Sequence, residues 1–278
     1  MEKILPIARE LAIKAAIKAG KLAKHYFDKD KEISEKEHGD LVTMVDHLAE
    51  KEILSEILRH FPNHQIRSEE MGWTGEEGEW LWLVDPLDGT NNYAIGLPIY
   101  GVSITLIYNK QPVLGVIYDS HLEDLYIAEK GKGTSRNGVP ISEVSTAFKR
   151  KGFRGMTVGW IQGHHVQKEA RALDLKQKLD LTFKRVLRLW APSLLWCMLA
   201  RGDLDGIVLY NSEGDDLYAG ILMAKEAGAT VVDFSGNNFE GMNPEPYIIA
   251  CNPKYIDDFL SLIGVPPGSR QHFNENIR

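Results

Sequence analysis

Two aspartates, Asp85 and Asp88, stand three residues apart directly behind the apolar run Leu81-Trp82-Leu83-Val84, and Gly89-Thr90 follow them. The run reads as a short buried strand that delivers both acids to its end. Carboxylates so placed can hold a hard divalent cation, and backbone amides of a Gly-Thr turn can share phosphate oxygens with it. The same residues also suit a plain turn, because Asp-Pro and Asp-Gly are ordinary turn pairs.

Other acids fall at positions that could join them. Asp46 closes Thr43-Met44-Val45-Asp46 just ahead of a helix, where an N-cap would sit. Glu69 and Glu70 follow a short strand and, taken alone, are surface acids. Asp215 and Asp216 open a helix expected over residues 217–226, where the helix dipole alone would favour them. Phosphatases that form an aspartyl-phosphate keep their two acids two residues apart, usually near the start of the chain. The wider spacing and the long preceding segment argue against a covalent aspartate route.

Taken together, DPLDGTNNY, the later IYGVSI, the upstream Glu69 and the downstream Asp-x-x-Ala-Gly at 216–220 resemble the inositol monophosphatase family. The resemblance implies a magnesium-dependent, lithium-sensitive phosphomonoesterase. It also implies an α/β (α+β) fold, the layered α-β-α-β-α sandwich of the inositol monophosphatase and fructose-1,6-bisphosphatase type. By the same resemblance Glu69 and Asp85 hold one metal, Asp85, Asp88 and Asp216 a second, and the Leu87 carbonyl is a further ligand. Gly89 and Thr90 offer backbone N–H groups to the phosphate, and Thr90 with Asp46 positions the attacking water. The expected cofactor is Mg²⁺, two or three ions per site, with Mn²⁺ a substitute and Li⁺ and Ca²⁺ inhibitors. A homodimer is expected from the habit of the family.

The chain departs from the family pattern where substrate is gripped. Trp190-Ala191 stand where many members have Gly-Ser or Gly-Thr, and Leu209 where inositol phosphatases place an acid. Asp215 replaces the usual Trp and could accept hydrogen bonds from a polyol or amine; Tyr218 replaces an Ala. Trp190 could narrow the pocket, stack on a sugar face or belong to the core. Asn91 stands where nucleotide-bisphosphate and histidinol-phosphate phosphatases often carry Lys. The expectation is therefore a small sugar or cyclitol phosphate. Fructose-1,6-bisphosphatase or 3'(2'),5'-bisphosphate nucleotidase activity is the alternative, and a non-catalytic regulatory or binding protein on this scaffold the second. Lys36 is one residue out of register with a lysine the family often has, and is not carried over.

The elements that must position these groups are legible in outline. Residues 4–27 form an amphipathic helix, and a second runs from Asp46 to Pro62 with Leu48, Ile53, Leu54, Ile57 and Leu58 at helical spacing. A charged connector spans 29–39, and the Gly- and Glu-rich stretch 72–79 reads as a mobile loop over the site. Strands over 102–108, 113–118 and 125–128 follow, with hairpins at Gly131-Lys132-Gly133 and Asn137-Gly138. Beyond Pro140 strand and helix alternate: strands at 157–161, 185–189, 207–210 and 247–251, helices at 166–179, 193–201, 217–226 and 255–263. His164-His165 read as a helix-entry loop. Two parts are expected, 1–140 with most ligands and 141–278 supplying Asp216 and the substrate pocket.

The 278 residues are 44% hydrophobic and 26% charged, an ordinary globular balance. A net charge of -7 argues against nucleic acid as a partner. No apolar run suits a signal or a membrane span, and Cys197 and Cys251 make neither a metal motif nor a disulfide framework, so a cytoplasmic setting is expected. The expected partner is a small phosphorylated substrate.

Overall fold

Small residues decide how the first helix packs. In the computed structural model, which describes residues 3–29, 32–35, 41–141, 152–212 and 214–264, α1 (Ile4–Tyr26) buries Ala8, Ala12, Ala15, Ala16, Ala19 and Ala23. That stripe brings its backbone close to the sheet beneath, and at Gly20 even a Cβ would come 2.3 Å from the Tyr118 ring. The charged connector contains a short strand, β1 (Ile33–Glu35), antiparallel to β2 (Leu41–Thr43). Then comes α2 (Met44–His60). Lys36 and Glu213 lie outside the described residues.

A run of strands follows: β3 (Gln65–Ser68), β4 (Gly72–Thr74), β5 (Trp80–Asp88), the short helix α3 (Thr90–Ala94), β6 (Gly101–Tyr108), β7 (Gln111–Asp119), β8 (Asp124–Glu129), β9 (Gly133–Arg136) and β10 (Val139–Ile141). They form one eight-stranded sheet in the order β10-β9-β8-β7-β6-β5-β3-β4, antiparallel except for β3 against β5. The stretch after Gly72 is thus not loop throughout: β4 folds back on β3, pairing Arg67 with Trp73.

The rest of the chain builds β11 (Thr157–Gln162), α4 (Ala170–Thr182), β12 (Arg185–Leu187), α5 (Pro192–Ala200), β13 (Gly206–Tyr210), α6 (Leu217–Glu226), β14 (Thr230–Asp233), β15 (Tyr247–Cys251) and α7 (Ile256–Leu262). Five of these strands form a mixed sheet, β12-β11-β13-β15-β14. Sequence reading overlooked β14, whose four residues are too short for a period-2 signal. It also ran the strand at Arg185 on to Leu189; the strand stops at Leu187, and three residues on Trp190 turns into left-handed backbone.

Alternation along β5 shows the layering. Leu81 and Leu83 face one core, packed with Leu195, Trp196, Tyr218 and Ile221 of α5 and α6. Trp82 and Val84 face the other, packed with Leu11, Ala15, Ile53 and Ile57 of α1 and α2. The far face of the five-stranded sheet carries a third core with α4 and α7 residues, among them Leu175, Leu179 and Phe259. The order is α1/α2, eight-stranded sheet, α5/α6, five-stranded sheet, α4/α7: the expected α-β-α-β-α sandwich. Among the described residues, no helix is long and apolar enough to cross a membrane.

Candidate active site

Side chains three residues apart on a regular strand point to opposite faces. Asp85 and Asp88 escape this rule through a β-bulge. Asp85 pairs with Ser103 and Asp88 with Gly101, so three steps on β5 match two on β6. The extra residue resets the alternation and turns both carboxylates into one cavity. Asp85 Oδ1 accepts from the Leu87 amide at 3.0 Å, which fixes the bulge from inside. Behind it Gly89 takes φ +91, and a Cβ there would lie 2.8 Å from the Ile99 carbonyl, so glycine is required twice over.

Asp46 is not the N-cap of α2. Thr43 is, and Asp46 is the N3 member of a capping box: its Oδ2 accepts from the Thr43 amide at 2.8 Å and the Thr43 hydroxyl at 2.6 Å. Its other oxygen, Oδ1, accepts from Thr90 Oγ1 at 2.7 Å. Thr90 Oγ1 also lies 2.8 Å from the Leu87 carbonyl. One helical turn on, buried Glu50 accepts from Ser68 Oγ at 2.6 Å and from the amides of Glu70 and Met71 at 3.1 and 3.0 Å. With the Glu69 amide on the Val84 carbonyl, this pins the turn that carries Glu69. Sequence reading passed over Glu50; its signal was the i, i+4 spacing from Asp46, which puts both acids on one helical face.

The second half of the chain brings the remaining groups. Asp88 Oδ2 accepts from the Ser193 amide at 2.9 Å and from the Ser193 hydroxyl, so it caps α5 just past Pro192. Asp216 stands at the start of α6, its carbonyl 3.5 Å from Ser103 Oγ opposite Asp85. Asp215 lines the cavity, but its carboxylate is ion-paired with Arg67 of β3. The cavity, about 460 Å³, is walled by Glu69, Asp85, Leu87, Asp88, Gly89, Thr90, Asp215 and Asp216, with Trp190 also on its wall.

Two residues expected at the substrate do not line the cavity. Leu209 lies inside β13 at 1% exposure, in the core between the sheets. Ala191 is fully buried and packs under the Gly89 turn. Both are apolar, and burial is where such side chains are stable. Conversely Trp73, Arg67, Arg188, Gln162 and His164 line the cavity though none was singled out for it. His164 is in a single 3₁₀ turn after β11, as an entry loop would place it.

The acids perturb one another. Burial, then the charges of Glu69, Asp88 and Asp216, holds the Asp85 carboxyl well above its ordinary range. Asp216 is raised likewise, by burial first and then by Asp88 and Glu69. Burial lifts Asp88 too, but the Ser193 donors oppose it and it settles at about 7. Asp46 is raised by burial against the pull of its threonine hydrogen bonds. Among the described residues, no three Asp, Glu, His or Cys side chains are drawn together as a ready-made cation cage. The donor set nonetheless suits a hard cation: every candidate donor is an oxygen, and positive charge between the acids would relieve their mutual repulsion.

Comparison with known proteins agrees with this geometry. The model of the inositol monophosphatase family matches residues 7–262. The fructose-1,6-bisphosphatase/inositol-1-monophosphatase of Aquifex aeolicus is 34% identical over 254 residues, covering 90% of this chain and 92% of that one. A Nus factor SuhB of Haemophilus influenzae is 32% identical, covering 91% and 94%. The crystal structure of the extragenic suppressor protein suhB from Bartonella henselae superposes with a TM-score of 0.84 at 28% identity, over 93% of this chain and 98% of its own. Fold, bulged Asp-Pro-Leu-Asp strand and near full-length match converge: the chain belongs to the inositol monophosphatase family.

Proposed function

We propose that the chain is a Mg²⁺-dependent phosphomonoesterase that hydrolyses a small sugar or cyclitol phosphate with water as nucleophile and no covalent intermediate. The observation that carries this reading is the buried Thr90–Asp46 pair beside the Asp85–Asp88 bulge. Glu69, Asp85, the Leu87 carbonyl, Asp88 and Asp216 would hold the cations. Bound Mg²⁺ would supply charge neutralisation at the phosphoryl oxygens and make water acidic enough to attack.

The rest falls to the chain's own groups. Thr90 has one proton for two acceptors. When the Leu87 carbonyl is engaged elsewhere, that proton goes to Asp46, and the lone pairs of Thr90 are left to accept from water. Asp46, made more basic by burial, then takes the Thr90 proton while Thr90 takes one from the water, as the water oxygen bonds to phosphorus and the ester P–O bond breaks; the departing alkoxide takes a proton from solvent and leaves as the alcohol. Gly89 and Thr90 start α3, whose first amides have no intrahelical carbonyl and can turn to phosphate. A thiol nucleophile is out of place: both cysteines are buried, and burial raises Cys197 well above the ordinary thiol range.

The relative named Nus factor SuhB keeps a second reading in view, a regulatory protein on the same scaffold. The experiment is phosphate release from sugar, inositol and nucleotide phosphates with Mg²⁺, with EDTA, and with Mg²⁺ plus Li⁺, with Asp88→Asn alongside. Mg²⁺-dependent turnover lost in the variant supports the enzyme. An inert panel with Mg²⁺ binding intact by calorimetry would sink the catalytic reading and favour the regulatory one.

A further inference from the structure

Of the six tryptophans, only Trp73 and Trp190 are exposed, at 57% and 49%, and both line the cavity that holds the acids. They come from different parts of the fold. Trp73 is on the edge strand β4 of the eight-stranded sheet, and Trp190 is on the turn between β12 and α5. Each indole has a guanidinium against its ring: Arg67 lies 5.5 Å from the Trp73 centroid and Arg188 lies 5.5 Å from that of Trp190. Arg67 is itself held by Asp215.

Trp190 occupies left-handed backbone at φ +53. For a bulky residue this is a strained state that Gly or Asn would adopt freely. Such strain persists where the surroundings enforce it, and it clusters at ligand clamps. The surroundings here are specific. Asn92 of α3, two residues beyond Thr90, donates to the Leu189 carbonyl at 2.5 Å and to the Ile99 carbonyl at 2.9 Å. The turn that displays Trp190 is therefore tied to the segment that carries the reacting groups. A tryptophan kept half exposed, against its backbone preference and on the wall of the cavity that holds the acids, has no role in the core that would account for it.

We infer that the alcohol of the substrate carries a flat, π-faced ring that stacks on Trp190 and against Trp73, as the base of a nucleoside monophosphate would. The inference rests on the phosphomonoesterase reading above and narrows its sugar phosphate to one bearing such a ring. Guanidinium–indole stacks extend naturally to a further aromatic face, and base stacking on an aromatic side chain tolerates any base. A bare sugar or cyclitol, fringed with hydroxyls, makes less of two indoles.

Adenosine 5′-monophosphate and ribose 5-phosphate share the scissile bond and the leaving primary alcohol and differ by the base. Their kcat/KM values with Mg²⁺ should differ at least about tenfold in favour of the adenosine ester, equivalent to about 1.4 kcal/mol. In Trp190→Ala and Trp190→Gly the ratio should fall below about threefold, and in Trp73→Ala it should fall part of the way. Thermal melts should place the glycine variant above the alanine variant, because only glycine relieves the backbone. Equilibrium dialysis of both esters with Ca²⁺ in place of Mg²⁺ reads the same preference without turnover. Equal treatment of the two esters by the wild type, or a ratio unmoved by both Trp190 substitutions, overturns the inference. If no ester at all is hydrolysed, the phosphatase reading fails by itself. Dialysis then still decides the stacking: an adenosine preference lost in Trp190→Gly supports it, and none in the wild type overturns it.

Discussion

Thr90 and Asp88 put the residue scale to the test. Removing the Thr90 hydroxyl takes away the group proposed to link Asp46 to water, so Thr90→Ala should lower kcat about a hundredfold with KM little changed. Thr90→Ser should keep most of the rate; equal losses in both variants would count against the relay. For Asp88 the folded value of about 7 exceeds the ordinary 3.8. Between these pH values the folded chain binds more protons than the unfolded one, so stability falls as pH rises through that window. Melts in EDTA from pH 4.5 to 7.5 should show this decline, and Asp88→Asn should flatten it. The spacing of Asp85 and Asp88 singles them out and the resemblance adds Asp216, and all three line the cavity. Ser193 carries no such signal, because its work is a hydrogen bond to a group 105 residues away, and Glu50 shows only its helical spacing from Asp46, not its bond to Ser68, 18 residues on. Leu209 shows the converse: a register carried over from relatives says nothing about burial, and this side chain sits in the core.

At the scale of the element, the bulge in β5 is the critical device. Inserting one residue into β6 between Val102 and Ser103 gives every step on β5 a partner, restores regular alternation and swings Asp88 to the opposite face, away from Asp85. Such a variant should keep its far-ultraviolet circular dichroism and lose at least about a thousandfold in activity. Retention of activity would mean that the two acids do not act on one face. The sequence of this element misleads in an instructive way. Pro86 and two aspartates look like a strand end, yet the strand continues to Asp88 because a bulge tolerates proline and leaves a residue unpaired. Helices were easier to see, since α2 and α6 repeat apolar residues over several turns. The three-residue strand β4 offers no periodicity, so the sequence reads the edge carrying Trp73 as loop.

Over the whole molecule, the ligand set is divided between the halves of the sandwich. Glu69, Asp85 and Asp88, the proposed ligands of the first half, come with the eight-stranded sheet, while Asp216 arrives with α6. Mg²⁺ should therefore fasten the layers: it should raise Tm in wild type and slow amide exchange at the site end of β5 and at the start of α6 together. In Asp216→Asn the exchange protection should shrink to β5, and unchanged protection of α6 would argue that Asp216 is no ligand. The middle layer that bears it also governs how the protein is made. A ribosome delivers the chain from its N-terminus, so all eight strands of the large sheet emerge before residues 192–226 exist. Through that interval one face of the sheet is clothed by α1 and α2, while Leu81, Leu83, Ile107, Ile117 and Tyr126 on the other face still await α5 and α6. The nascent chain is at its stickiest then, and chaperone cover or quick elongation matters most between residues 141 and 226.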